Sequence, residues 1–294
     1  MATQEKIQAI MKIRKEWQAE DDQRDIDLPA VFDGVERTDN LQYGDDPQWN
    51  LLDVYRSQKR NGKLPVIILI HGGNWCYGSK ETYQYYGMRL AQRGFVVVNA
   101  SYRLAPDVVF PGELDDVDRF IHWTVAHANE FDFDLENAVL SGDSAGGQMA
   151  LQYLTTWANP AYRKLFGYSR PAITFRAGIL NCAPYFMLTQ KLWPATRAYF
   201  TDQVMTEKKV MMATEESFTD SLPPLYVATA NQDFLRDDSM KFAGFLMAHH
   251  HPHVAKVYGD DQHPRQHDFM ISQKDKLADQ ALDDEIQFIQ KNLK

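Results

Sequence analysis

Cysteine is scarce in this chain. Cys76 and Cys182 are the only two among 294 residues, which excludes a disulfide framework and fits a reducing compartment. Positive charge is also short. There are 31 Lys and Arg against 40 Asp and Glu, giving a formal net charge of −9. That balance argues against nucleic acid and anionic membrane surfaces as partners. No apolar run approaches the roughly 20 residues of a membrane span. The segment Met1 to Glu20 lacks the apolar core of a signal peptide, so a soluble cytoplasmic protein is expected. Internal repeats and long linkers are missing too. Nothing marks a second independent unit, and residues 1–294 are expected to form one domain. The hydrophobic share of 44% is enough for a large core.

What is present centres on Val139 to Leu151. An apolar strand-like segment runs through Gly142-Asp143-Ser144-Ala145-Gly146 into a helix-like segment. A Gly-x-Ser-x-Gly pentapeptide between strand and helix fits a nucleophile elbow, with the serine at the apex of a strained turn. Gly142 and Gly146 flank it because a Cβ there would collide with the neighbouring strand or helix. Such a turn raises the Ser144 hydroxyl and aims the first amides of the helix at a developing oxyanion.

Around this corner the chain alternates. Val35 to Tyr43 and Trp49 to Arg56 read as strands joined by a polar turn. Leu64 to Ile70, Phe95 to Asn99, Ala138 to Ser141, Ile173 to Leu180, Leu225 to Ala230 and Val254 to Tyr258 read as further strands. Helical patterns cover Tyr83 to Arg93, Leu114 to Ala128, Ser144 to Trp157, Phe234 to Ala248 and Ser272 to Leu293. This predicts an α/β fold with a mostly parallel central sheet and helices on both faces. Two segments stand outside the rhythm. Ile7, Ile10, Met11, Ile13 and Trp17 give an amphipathic N-terminal helix, either packed on the body or serving as a lid. Residues 181–222 carry many apolar side chains with no clear strand, and a helical cap over a pocket is the favoured reading.

A hydroxyl nucleophile needs a base, and the base needs an orienting carboxylate, in the order nucleophile, acid, histidine. Asp233 lies nearest the end of the strand Leu225 to Ala230 and is the expected acid; Asp237 and Asp238 fall where a helix start has its own use for acidic residues. Past the last strand His263 and His267 compete as base, and His267 is preferred because it opens towards the final helix. The oxyanion donors are expected from Ala145 and from the turn that holds Gly72, Gly73 and Asn74. His71 reads as a structural hydrogen-bonder of that turn.

These motifs together resemble a known family. His71-Gly72-Gly73-Asn74-Trp75, Ser101-Tyr102-Arg103-Leu104-Ala105-Pro106, Phe110-Pro111 with Asp115-Asp116, Gly142 to Gly147, Asp233 to Asp237, and His267-Asp268-Phe269 follow the order found in α/β-hydrolases. They look like the hormone-sensitive-lipase-like carboxylesterases, with likeness also to acetyl-xylan or feruloyl esterase-like and kynurenine-formamidase-like relatives. The resemblance covers about residue 50 to 270. It implies an α/β-hydrolase fold with a helical cap built from 1–25 and 181–222. It also implies a serine carboxylesterase with the triad Ser144, Asp233 and His267, and no cofactor or metal. Two departures stand out. Asn74 replaces the family's third glycine, and its side chain would narrow or polarise the acyl site. Asp268 replaces the glycine of the usual His-Gly-Phe, placing a carboxylate beside the base, where it either raises the base's pKa or faces solvent.

His249, His250, His251 and His253 cluster near a helix end, where a surface patch is favoured over a metal site. Cys76 reads as a small buried side chain. The expected activity is hydrolysis of short-chain acyl, acetyl-like esters through an acyl-enzyme. An arylformamidase-type amidohydrolase and a non-catalytic ligand-binding protein are the alternatives. The expected partner is a small-molecule ester; the oligomeric state, a homodimer included, is left open.

Overall fold

The computed structural model describes residues 3–59 and 61–294. Met1 and Ala2, at the start of the expected cap segment, and Arg60 lie outside the described residues. The strands are β1 (Val35–Gln42), β2 (Leu51–Ser57), β3 (Leu64–Ile70), β4 (Val96–Ala100), β5 (Phe133–Asp143), β6 (Phe175–Asn181), β7 (Leu225–Ala230) and β8 (His253–Tyr258). They form one 8-stranded sheet in the order β1-β2-β4-β3-β5-β6-β7-β8. β1 and β2 pair antiparallel, as do β2 and β4, and every other neighbouring pair is parallel.

The helices are α1 (Gln4–Asp25), α2 (Gln84–Gln92), α3 (Gly112–Ala126), α4 (Ser144–Ala158), α5 (Pro160–Phe166), α6 (Thr196–Tyr199), α7 (Asp202–Glu207), α8 (Lys209–Met212), α9 (Arg236–Ala248) and α10 (Lys276–Asn292). β3 shows how they cover the sheet. Side chains along a strand point alternately to its two faces. Val66, Ile68 and Ile70 pack with the apolar residues of α3, α4 and α9, while Ile67 and Leu69 pack with those of α2 and α10. A strand buried on both sides has no polar face to show, hence the continuous apolar run.

Four differences from expectation stand out. β5 begins at Phe133 rather than Ala138, because Phe133 and Asp134 pair with Leu64 and Pro65 before a register shift. α5 is an added helix. The Asn159 side chain accepts from the Ala161 and Tyr162 amides, Pro160 opens the helix, and Gly167 closes it in the left-handed region. The segment 181–222 is helical but broken into turns no longer than the six residues of α7. The N-terminal helix extends to Asp25, and its expected apolar face is only partly covered. Ile10 is buried, but Met11 is 66% exposed.

Candidate active site

The carboxyl ends of the parallel strands bring the functional segments to one edge, where open α/β sheets hold their ligands. β5 ends at Asp143 and α4 starts at Ser144, so the strand-to-helix turn has no intervening loop. Ser144 sits at φ 51°, in the left-handed region that non-glycine residues adopt only under constraint. The constraint comes from its neighbours. A Cβ on Gly142 would overlap the Gly146 backbone, and one on Gly146 would overlap Ile70 O.

Asp233 leaves the β7 end. Its Oδ2 accepts from Thr229 Oγ1 at 2.7 Å and its Oδ1 from the Leu235 amide at 2.9 Å. These bonds aim Oδ1 at His267 Nδ1, 2.8 Å away, and His267 Nε2 lies 2.9 Å from Ser144 Oγ. The structure thus brings Ser144, Asp233 and His267 into one hydrogen-bonded chain. His263 is not part of it. Its side chain is 71% exposed and lies 3.3 Å from Asp260. Asp238 accepts from the Tyr185 amide and from Gln190, holding the start of segment 181–222, and Asp237 pairs with Arg236 at the surface. Burial pushes the Asp233 carboxyl up, but the His267 ring and the two other donors hold it below the ordinary aspartate value. Burial opposes charge on His267, yet the Asp268 carboxylate and the Asp233 bond keep its pKa well above the ordinary histidine value.

Asp268 does not face open solvent. Its Oδ2 lies 3.0 Å from His267 Nε2. Its carboxyl also meets that of Asp143, which accepts from Tyr83 Oη at 2.5 Å. Burial first, and the Asp268 charge second, push the Asp143 carboxyl well above its ordinary value.

The four expected oxyanion donors divide. The Gly72 amide already donates to Tyr83 Oη at 3.0 Å. Gly73, Asn74 and Ala145 keep their amides out of the backbone hydrogen bonding. Gly73 has φ 123°, and its Cβ would meet the Tyr77 backbone, so this turn needs glycine there. The Asn74 side chain accepts from Thr196 Oγ1 of α6 at 2.6 Å, tying the turn to segment 181–222. His71 is fully buried; its Nδ1 lies 2.7 Å from Gly72 O and its ring stacks on Tyr102 at 4.0 Å. Burial pushes its pKa down to about 4.

Two chambers meet at Ser144 and His267. The larger, about 810 Å³, is walled by α1 residues including Ile13 and Trp17, and by Tyr77, Trp193 and Phe234. The smaller, about 340 Å³, is lined by Asn74, Trp75, Met187, Leu192 and Trp193. Among the described residues, Cys182, His267 and Asp268 are the one group of His, Cys, Asp or Glu ligand atoms close enough to share an ion. One of the three, His267, belongs to the chain at Ser144, and Asp268 lies 3.0 Å from its ring. The histidines near α9 do not converge. His249 and His253 bond to carbonyls, and His251 is buried against Pro223 O at 3.0 Å. Cys76 is buried, with its thiol pushed up to about 12.

Sequence reasoning passed over Tyr83, Thr229 and the partnership of Asp143 with Asp268. Thr229 lies four residues before Asp233, and a hydroxyl at that spacing was the available signal. Tyr83 had none, because it reaches the corner from 60 residues away in sequence.

The chain is similar to several known proteins. Residues 52–171 match the family model described as BD-FAE. Esterase LipC of Mycobacterium tuberculosis is 37% identical over 123 residues, covering 41% of this chain and 30% of LipC. Carboxylesterase NlhH of the same organism is 29% identical over 211 residues, covering 66% of this chain and 64% of NlhH. The matches thus span less than two thirds of these relatives. Acetyl esterase of Salmonella schwarzengrund is 25% identical, covering 78% of this chain and 73% of its own. Among solved structures, esterase B from Lactobacillus rhamnosis superposes with TM-score 0.86 at 24% identity, covering 96% of this chain and 95% of its own. Brefeldin A esterase, described as a bacterial homologue of human hormone sensitive lipase, gives TM-score 0.74 at 20% identity, covering 97% and 83%.

Proposed function

From a chain with the α/β-hydrolase fold, similar in its motifs to the hormone-sensitive-lipase-like carboxylesterases, we propose a serine carboxylic ester hydrolase acting on short-chain, acetyl-like esters. One observation carries this reading: the unbroken run from Ser144 Oγ through His267 to Asp233 Oδ1, with bonds of 2.9 and 2.8 Å. Ser144 Oγ attacks the ester carbonyl as its proton passes to His267 Nε2. Asp233 holds the other nitrogen protonated and stabilises the imidazolium. The amides of Gly73, Asn74 and Ala145 stabilise the oxyanion, each worth roughly 3–4 kcal/mol in the transition state. His267 returns the proton to the leaving alkoxide. Water, losing a proton to the same nitrogen, then releases the acid from Ser144.

The smaller chamber suits a short acyl group, because Trp75, Leu192 and Trp193 close a space of about 340 Å³. The alcohol part takes the larger one. α1 and residues 181–222 act as cap elements of a single domain. Trp17 of α1 and Trp193 of the insertion wall both chambers. The aromatic wall of Trp17, Trp193 and Phe234 also favours a second reading, an arylformamidase, which would use the same groups.

Ser144→Ala is expected to cut p-nitrophenyl acetate turnover by at least about 10⁴-fold with an unchanged melting temperature. Turnover at the parent rate would falsify the assignment. A panel of acetyl, butyryl, octanoyl and feruloyl esters with N-formylkynurenine separates the two substrate classes; preference for the formamide displaces the ester reading.

A further inference from the structure

We propose that Asp268 is a positioning residue for His267, its carboxylate holding the imidazolium at the nitrogen that faces Ser144 and thereby moving the onset of turnover to higher pH. This rests on the hydrolytic reading above. In that reading His267 already has its orienting carboxylate, Asp233, on Nδ1. Asp268 is a second one on the opposite nitrogen, 3.0 Å from Nε2, where Ser144 Oγ stands at 2.9 Å. A proton on Nε2 therefore has two acceptors. Without that proton, the ring lone pair faces a carboxylate at hydrogen-bonding distance, which is repulsive.

Asp143 at the end of β5 meets Asp268, and burial together with the Asp268 charge pushes the Asp143 carboxyl up, so the proton is kept on Asp143. Asp268 Oδ1 is buried with no other partner, so a proton carried by the more deeply buried Asp143 satisfies it. Tyr83 lies behind Asp143 and donates to it. Cys182 at the end of β6 faces the ring with a buried thiol, and Phe234 covers it at 4.3 Å between centroids. None of these groups is cationic. Arg24, which lines the same chamber, is engaged by Asp21 and Asp25.

The consequence for turnover has a definite sign. During attack the serine proton moves to Nε2, and Asp268 stabilises that state. In the free enzyme the same carboxylate stabilises an imidazolium that cannot accept the serine proton. A base held above its ordinary value is competent only above that value, so activity is lost as pH falls through it. The backbone allows a clean test. Asp268 sits at φ 54°, where glycine is unstrained and asparagine is tolerated.

The profile of kcat/KM against pH is to be measured for the parent, Asp268→Asn and Asp268→Gly, alongside inactivation by an organophosphonate. A second measurement is the His267 ring titration by NMR in Ser144→Ala. The acid limb and the inactivation profile are expected to move down by about one pH unit or more in both variants, roughly a tenfold gain at low pH relative to each plateau. The ring is expected to titrate above the ordinary histidine range, and to fall back when Asp268→Gly is added. Unmoved profiles in both variants, with Ser144→Ala inactive, overturn the role of Asp268 and leave the hydrolase standing. Turnover by Ser144→Ala at the parent rate overturns the hydrolase itself.

Discussion

A single oxygen decides how Ser144 is presented. Ile70 O occupies the space that a Cβ on Gly146 would need, so the helix start can press against β3 only without a side chain. A constraint of that kind leaves a short pattern in the sequence, and Ser144 was legible for that reason. The histidine that meets it was less so. His263 and His267 are four residues apart in one loop, and only the folded path separates them. His263 is 71% exposed beside Asp260, whereas His267 bonds to both Asp233 and Ser144. His267→Ala is expected to lose at least about 10³-fold in kcat/KM, and His263→Ala no more than about twofold. Steady-state kinetics on p-nitrophenyl acetate decide it, and the reverse ranking would move the base to His263. Asp268 was readable only as an alternative, towards the ring or towards solvent. The choice depends on its left-handed backbone and on Asp143, which lies 125 positions earlier and has no local signature.

Whole elements followed their patterns where one period dominated. β3 and β7 keep the expected ends because their side chains are apolar or aromatic apart from Thr229. α1 obeyed its pattern less well, and the reason lies in how it docks. Ile10 is its one buried residue; Ala9 and Ile13 pack on the core only in part, Trp17 meets Tyr77 edge-on, and much of the remaining hold is polar. Arg14 donates to Cys76 O and Ala105 O at 2.8 and 3.0 Å, Arg24 donates to Thr82 O at 2.8 Å, and Tyr77 donates to Asp21 at 2.6 Å. An apolar periodicity cannot report contacts made by guanidinium groups to distant carbonyls. A helix held this way can be removed without opening the sheet. Deleting residues 1–20 is expected to leave cooperative unfolding intact while changing the acetyl-to-octanoyl ratio of kcat/KM by severalfold, since Ile13 and Trp17 wall the larger chamber. An unchanged ratio, with no added binding of an apolar dye, would reduce α1 to packing and end its role as a cap.

At the scale of the molecule, alternation of strands and helices foretold a parallel sheet but not what clamps its layers. One clamp is Glu285 of α10, 1% exposed, which accepts from Tyr86 of α2 at 2.6 Å and from Asn181 at the end of β6 at 2.7 Å. It joins residues up to 199 positions apart, a link no local pattern could announce. Burial raises its pKa from 4.5 to about 7, outweighing the two donors. The sign for stability follows from proton counting. Below 4.5 both folded and unfolded chains hold the proton. Between 4.5 and about 7 only the folded chain does, so stability falls as pH rises through that window and levels off above it. The full swing is at most about 3 kcal/mol. Glu285→Gln keeps an amide that can bond to Tyr86 and removes the titration. The parent and this variant should therefore differ in a pH-dependent way, the parent losing ground to the variant between about pH 4.5 and 7. Urea unfolding of both proteins across that range measures the difference and cancels the other titrating groups, His267 included. A difference that stays constant with pH would mean that Glu285 ionises in the fold as it does in the open chain, and that the clamp carries a full charge throughout.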